Sequence, residues 1–188
     1  LVPWVSWASV YVMSSDGTVV AHETQGTRST GINLAFRPYF QQALRGATSV
    51  YAAIGSNTRE RGLYYAAPLY ERDTPSSAII GAVMIKVGFA SVDAQLASAG
   101  LPMLLLSPQG VAFASARPEW LFAMAPPLTQ ARIDAVRASR QMGHYFDNGV
   151  ASALPFSPDA AQVEINGVAH AVGRRDLDWK LSPRHIPE

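Results

Sequence analysis

The chain has 188 residues, of which 48% are hydrophobic and 15% charged, and its formal net charge is +1. This composition can build a packed core and excludes a disordered segment, and no basic stripe interleaved with aromatic residues suggests nucleic-acid binding. The sequence contains no cysteine, which excludes a disulfide framework, a thiolate metal site and a cysteine nucleophile. The longest apolar stretch, residues 78–90, is shorter than the ~20 residues of a membrane helix, and we expect a soluble segment cut from a longer protein.

The first half of the chain predicts a β-hairpin, a loop, a short helix and three strands. The β-prone run Ala8–Val12 leads into Asp16-Gly17, a dipeptide typical of hairpin turns. The elements predicted after this turn are the returning strand Thr18–Ala21, a loop over His22–Asn33, the helix Pro38–Leu44, the strands Ser49–Ile54, Gly62–Tyr70 and Ile79–Phe89, and a helix over Ser91–Ala99 with Ser91 as its N-cap.

The hairpin pattern then starts again. Predicted strands Met103–Leu106 and Val111–Ser115 flank a turn, Ser107-Pro108-Gln109-Gly110, that matches the first hairpin step for step. The later predicted elements are the amphipathic helix Thr129–Arg140 and the strands Gln162–Ile165, Ala169–Arg174 and Trp179–Leu181. This restart favours an internal duplication in an α+β fold, so we predict two tandem modules, residues 8–98 and 99–182, each built on an antiparallel sheet.

The sequence lacks the signatures of an enzyme. The motifs that would mark a P-loop, a dinucleotide site or a serine elbow do not occur. Histidines that could bind a metal are far apart in sequence and form no ligand pair; they are His22, His144, His170 and His185. We therefore expect no catalytic activity, no metal and no cofactor in this segment.

The first candidate binding residues lie at the start of the predicted helix, in the run Phe36-Arg37-Pro38-Tyr39-Phe40. Pro38 presets the backbone at a helix start. The guanidinium fork of Arg37 and the hydroxyl of Tyr39 beside a helix N-terminus form a good carboxylate receptor, because charge-assisted bonds and the helix dipole both favour an anion. A structural role is equally compatible with the sequence: the aromatic residues would pack in the core and Arg37 would form a salt bridge.

Lys86 is the second candidate, because it interrupts the most apolar predicted strand. A buried charge at this position needs a partner or a wet cavity. Alternatively, the lysine lies at a sheet edge and its stem covers apolar surface. The hydroxyl groups of Tyr64, Ser56 and Thr58 could add donors, and two cationic groups facing one cavity would suit a small dianion.

These residues resemble the sensor region of the four-carbon-dicarboxylate-sensing histidine kinases, which contains tandem PAS-like modules of the Cache (PDC) type. The resemblance covers nearly the whole chain. An Arg-Pro-Tyr-Phe run alone is common to many Cache domains, whereas its combination with the later motifs in this order is fairly specific. The matching stretches are Tyr11-Val12-Met13 with Asp16-Gly17, Phe36–Gly46, Gly62-Leu63-Tyr64-Tyr65, Gly81–Val87, Ser115–Trp120, and more weakly Ile133–Gly143 and Asp178–Leu181.

The resemblance implies a periplasmic, extracytoplasmic segment of an inner-membrane receptor, whose parent is a homodimeric two-component sensor histidine kinase. The first module would be membrane-distal and bind a small dicarboxylate such as succinate, fumarate or malate, and the second would be membrane-proximal and lack a ligand site. In amino-acid-sensing relatives the strand of Lys86 typically supplies an acidic residue, so a lysine there fits a second carboxylate. The ligand-binding residues implied in this way are Arg37, Tyr39, Lys86, Tyr64, Ser56 and Thr58.

Some expectations stay open at the level of sequence. The family's long N-terminal helix has no counterpart before Leu1, which allows a monomeric fragment. A module that senses nothing would fill its pocket with its own side chains. A sensor for a monocarboxylate or an amino acid, in a diguanylate cyclase or a chemoreceptor, would bring an acidic side chain such as Glu23 or Asp73 into the pocket.

Overall fold

The computed structural model describes residues 8–23, 30–56, 58–146 and 152–174. The strands and helices of this part are β1 Ala8–Ser14, β2 Val19–Glu23, α1 Pro38–Ala43, β3 Ser49–Ile54, β4 Arg61–Tyr70, β5 Ile79–Gly88, α2 Ala90–Ser98, β6 Leu104–Leu106, β7 Ala112–Ser115, α3 Gln130–Ser139, β8 Gln162–Ile165 and β9 Val168–Ala171, with 3-10 turns at Pro118–Trp120 and Gly143–Phe146. The predicted strand Trp179–Leu181 and His185 lie outside the described residues. No helix in the described ranges is both long enough and apolar enough to cross a bilayer.

The chain forms two units. Among the described residues, the first comprises residues 8–23, 30–52 and 62–88, and the second comprises residues 53–56, 58–61, 89–146 and 152–174. The predicted boundary between residues 98 and 99 stays a prediction, because these units interleave along the chain instead of dividing it at one point.

A five-stranded sheet with the order β2-β1-β5-β4-β3 is the frame of the first unit. β1 pairs antiparallel with β2 and β5, and β5 pairs antiparallel with β4. Side chains alternate between the two faces of a strand. One face carries the buried side chains of Tyr11, Met13 and Met84, and we call it the inner face. The other face carries partly exposed apolar residues such as Val10 and Ile85.

The first hairpin closes as the Asp-Gly signal predicts. Gly17 has a φ of +86°, which glycine adopts without a steric penalty. The carboxylate of Asp16 accepts hydrogen bonds from the Ser14 hydroxyl at 2.6 Å and from the Thr18 amide at 3.0 Å. The Ser14 hydroxyl is the main reason that the pKa of Asp16 lies below its usual value.

The second unit repeats this hairpin in detail. In the first hairpin the Ser14 amide donates to the Thr18 carbonyl and the Gly17 amide donates to the Ser14 carbonyl. In the second hairpin the Ser107 amide donates to the Val111 carbonyl and the Gly110 amide donates to the Ser107 carbonyl. Gly110 has a φ of +82°. The irregular register steps also correspond, at Val12/Met13 and at Leu105/Leu106. The residue just before each returning strand forms an isolated bridge, Thr18 with Asn33 and Val111 with Met124. This repeated geometry supports the internal duplication.

The helices confirm one predicted N-cap and correct another. The hydroxyl of Thr129 accepts a hydrogen bond from the Arg132 amide at the start of α3, and Ile133 and Val136 are buried. The prediction that Ser91 caps α2 is wrong, because β5 passes into the helix almost directly: Phe89 is the N-cap residue and makes no side-chain cap bond. The predicted loop over His22–Asn33 is also too long, since β2 extends to Glu23.

Candidate functional site

Arg37 occupies the N-cap position of α1 with an extended backbone, and its side chain makes no cap hydrogen bond. Pro38 follows as the first helical residue, as predicted. The arginine is 4% exposed, and its guanidinium carbon lies 5.1 Å from the ring centroid of Phe36. Phe36 itself is exposed, so the interpretation that the aromatic residues pack in the core is wrong for Phe36, but it is confirmed for Tyr39 and Phe40, which are buried. Local structure therefore buries a permanent cation immediately before a short helix.

Three tyrosines form an aromatic cluster on the inner face. The ring of Tyr39 on α1 stacks on the ring of Tyr64 on β4, with centroids 5.4 Å apart and planes 4° apart. Tyr51 on β3 contacts Tyr39 at 6.0 Å in a tilted arrangement. Offset ring pairs at such distances add to the stability that burial alone provides. The cluster therefore connects α1 to two neighbouring strands.

Lys86 belongs to the same face. It lies on β5, the middle strand of the sheet, opposite Ser9 on β1 and opposite Tyr64 on β4. It is 7% exposed. The interpretation of Lys86 as an edge lysine is therefore wrong, since strands flank it on both sides. Because Tyr64 stacks on Tyr39, the two rings connect the strand of Lys86 to the helix that follows Arg37.

Burial and charge shape the acid–base properties of the cluster. Burial raises the pKa of Tyr39 above its usual value, and the nearby Arg37 guanidinium partly opposes that rise. Burial also raises the pKa of Tyr51, again against the effect of Arg37. Both phenols are therefore neutral at physiological pH and can donate hydrogen bonds to an anion.

The sequence interpretation missed Tyr51, which the structure adds to the site. Its proximity to Tyr39 and its electrostatic interaction with Arg37 put it beside the predicted cation. The same face of β3 carries Ser49, a buried residue whose hydroxyl has no hydrogen-bond partner among the described atoms. Alternation along β3 was the available signal, but it does not say which of the two sets of side chains faces inward.

Ser56 and Thr58 are placed differently from the other predicted residues. Both are exposed and lie in the connection between β3 and β4, whose residues 53–61 group with the second unit. The structure brings Tyr39, Tyr64 and Lys86 together on one face, and Arg37 interacts electrostatically with Tyr39. The contribution of the Ser56 and Thr58 hydroxyls stays a prediction.

The acidic residues that would indicate an amino-acid ligand are not on the inner face. Glu23 is exposed and pairs with Val10, so its side chain projects from the outer face of the sheet. Asp73 is exposed in the connection between β4 and β5. In the described part of the chain, no group of three or more His, Asp or Glu side chains is suited to a metal ion.

The chain is similar to known bacterial sensor proteins. The chain is 29% identical over 132 residues to the C4-dicarboxylate transport sensor protein DctB of Pseudomonas aeruginosa, and this alignment covers 69% of the chain and 21% of the relative. It is 28% identical over 138 residues to the protein of the same name from Rhizobium meliloti, covering 72% of the chain and 22% of the relative. No protein-family model matches the chain.

A solved structure gives the decisive match. The sensor domain of the Vibrio cholerae histidine kinase DctB superimposes with a TM-score of 0.69 and 26% sequence identity, covering 82% of this chain and 58% of that one. The chain is homologous to the DctB sensor region. The predicted α+β, PAS-like (Cache/PDC) fold class is thereby confirmed. The chain spans only about a fifth of the length of the two DctB proteins in sequence.

Proposed function

We propose that this chain is the extracytoplasmic ligand-sensing segment of a bacterial transmembrane receptor and that it binds a C4 dicarboxylate such as succinate, fumarate or malate. The observation that carries the proposal is the connection of two buried cations through stacked tyrosines: Arg37 next to Tyr39, Tyr39 on Tyr64, and Tyr64 opposite Lys86. One carboxylate would bind at Arg37 and Tyr39 and the other at Lys86. Charge-assisted bonds to both ends of a diacid offset the cost of burying two like charges on one face.

The parent protein is proposed to be a membrane-anchored, homodimeric sensor histidine kinase, in which this periplasmic segment is not itself catalytic. The homology to DctB sensor proteins supports this proposal. The ligand would act by binding one of two conformations more tightly, because a ligand shifts an equilibrium only by its difference in affinity between the two states. Ser56 and Thr58 are proposed as additional donors that take part in this shift.

The test is a binding screen of the chain with succinate, fumarate, malate, monocarboxylates and amino acids, by thermal shift and then by calorimetry. Linkage predicts about 2.7 kcal/mol of stabilisation at a hundredfold excess of ligand over the Kd, which raises the Tm of a chain of this size by roughly 5–10 °C. A response to the four-carbon diacids above all others supports the proposal. A response to amino acids or monocarboxylates alone would instead favour a sensor of that ligand class, and no response to any acid would favour a module that does not sense.

Two variants assign the cations. Lys86→Met keeps an unbranched stem in the sheet and removes the ammonium group, and Arg37→Ala removes the planar fork that binds a carboxylate through two bonds. Loss of a desolvated charged partner typically costs about 2–5 kcal/mol, so Lys86→Met and Arg37→Ala should each weaken succinate binding by more than tenfold. A smaller loss for Arg37→Ala, in a variant that melts like the wild type, would exclude this site.

A further inference from the structure

Gly62, at the start of β4, lies beside Lys86 of the neighbouring strand on the same face of the sheet. Gly62 and Tyr64 project to the same face of β4, as Lys86 and Gly88 do on β5. In the sheet register Gly62 lies opposite Gly88 and Tyr64 lies opposite Lys86. On this face the cross-strand pair of Tyr64 and Lys86 is therefore followed by a cross-strand pair of two glycines.

These two glycines have different surroundings. A Cβ atom built on Gly62 would lie 3.0 Å from Lys86 Cε, 3.1 Å from Lys86 Cγ and 3.2 Å from Tyr64 Cε2. Ordinary contact between two carbon atoms begins at about 3.5 Å. A Cβ atom built on Gly88 would meet no atom within 4 Å. The stem of Lys86 therefore runs diagonally over Gly62 and fills the space in which any other residue would carry its side chain.

We propose that Gly62 is the positioning residue of the cationic site: by having no side chain, it fixes the path of Lys86 and hence the distance between the two cations that a diacid must span. This inference rests on the proposed function. Neither Gly62 nor Gly88 has a positive φ, so backbone conformation requires glycine at neither position. The requirement at Gly62 is steric, and it comes from the two side chains of the neighbouring row.

The register also provides a matched control. Gly62→Ala and Gly88→Ala make the same chemical change at two facing positions of the same strand pair. Both reduce the conformational freedom of the unfolded chain to a similar extent. Only the first also requires Lys86 and Tyr64 to move, because its Cβ would lie closer to both side chains than ordinary contact allows. Gly62→Val and Gly88→Val extend the comparison with a larger side chain that suits a strand.

The ligand test is a double-mutant cycle in calorimetry. Gly62→Ala should weaken succinate binding by about tenfold, a part of the loss caused by removing the Lys86 charge, and Gly88→Ala should leave the affinity within about twofold. In the Lys86→Met background Gly62→Ala should have much less effect, because the group that Gly62 positions is already absent. Binding of butyrate, which has the chain length of succinate but one carboxylate, should change much less than binding of succinate.

A second measurement needs no ligand and so separates this inference from the proposed function. The amine labelling rates of Lys86 and Lys180, the two lysines of the sequence, are compared by mass spectrometry. Gly62→Ala should raise the rate of Lys86 relative to that of Lys180, because it displaces the stem from its buried path, and Gly88→Ala should not. Equal labelling of Lys86 in both glycine variants would overturn the positioning role whether or not the wild type binds a diacid. Increased labelling in Gly62→Ala with no diacid binding by the wild type would retain the positioning role of Gly62 and refute the proposed ligand.

Discussion

The ion pair between Arg61 and Asp93 provides a quantitative prediction within the second unit. Arg61 donates from its two terminal nitrogens to the two carboxylate oxygens of Asp93, at 3.0 Å and 2.6 Å. It also donates to the carbonyl of Phe113 at 2.9 Å, and its guanidinium carbon lies 5.6 Å from the ring centroid of Phe89. Asp93 lies in the first turn of α2, where a negative charge is favoured by the helix dipole. Within the second unit, the side chain of Arg61 thus binds both α2 and β7.

The expected cost of Arg61→Ala follows from these contacts. Hydrogen bonds to charged groups contribute about 1.5–3 kcal/mol each when buried, but the two side chains retain 18% and 31% exposure, so solvent screening reduces the sum. We expect a destabilisation of about 2–3 kcal/mol, which lowers the Tm by roughly 4–12 °C for a chain of this size. In a double-mutant cycle with Asp93→Ala, the coupling energy should be about 1–2 kcal/mol.

The assay is denaturant unfolding combined with calorimetry, and the matched control is Arg72→Ala. Arg72 approaches Glu71 at only 3.9 Å, and the two side chains are 78% and 57% exposed. Exposed pairs of this kind contribute close to nothing, so Arg72→Ala should change stability by less than about 0.5 kcal/mol. The argument from bidentate geometry is refuted if Arg61→Ala lowers the free energy of unfolding no more than Arg72→Ala does. It is also refuted if the losses caused by Arg61→Ala and Asp93→Ala simply add in the double variant.

Two further predictions concern the first unit. Gly17→Ala should destabilise the first unit by about 1–3 kcal/mol more than Gly31→Ala. Both glycines have a φ of +86°, but only a Cβ on Gly17 would lie 2.6 Å from the Ala35 amide nitrogen. Equal losses of stability in denaturant unfolding would refute this clash. Burial raises the pKa values of Tyr39 and Tyr51 on folding above the ordinary tyrosine value of about 10. Their contribution to stability is therefore present below pH 10 and is lost as the pH rises above it. Unfolding experiments between pH 8 and 11 should show this decline in stability, and Tyr39→Phe should make the decline smaller. If ultraviolet absorbance shows that every tyrosine of the folded protein ionises near pH 10, the prediction is contradicted.

Local signals explain how much of the fold could be predicted from the sequence. The runs that became β1, β3, β4 and β5 are β-prone and bounded by turn residues, and the Asp-Gly turn formed as predicted. The N-cap of α2 could not be predicted in the same way. Ser91 has the right chemistry for a cap, but β5 ends at Gly88 and the helix begins at Ala90, so Ser91 lies inside the first turn. The position of a cap depends on where the preceding strand ends, and that is decided by tertiary contacts.

The candidate site was predictable in its residue types and not in its arrangement. Lys86 stood out because a charge interrupts an apolar run, but its burial depends on β5 being the middle strand, and strand order is a non-local property. Tyr51 had no such signal, since its inward orientation is evident only from the contact with Tyr39. The pairing of Arg61 with Asp93 joins residues 32 positions apart, and neither residue is unusual in its local sequence.

The duplicated hairpin provides an independent argument for the role of Arg37. In each repeat a hairpin and its isolated bridge are followed by a helix, and the N-cap residues of these two helices differ in a physically meaningful way. The second helix begins with Thr129, a preferred N-cap residue whose hydroxyl caps the helix; the first begins with Arg37, which contributes no cap bond. Functional sites are places where proteins violate local rules of this kind and compensate for the loss elsewhere. The less favourable N-cap residue is a buried arginine that interacts electrostatically with Tyr39 and Tyr51, which is what the proposed ligand recognition by the first repeat requires.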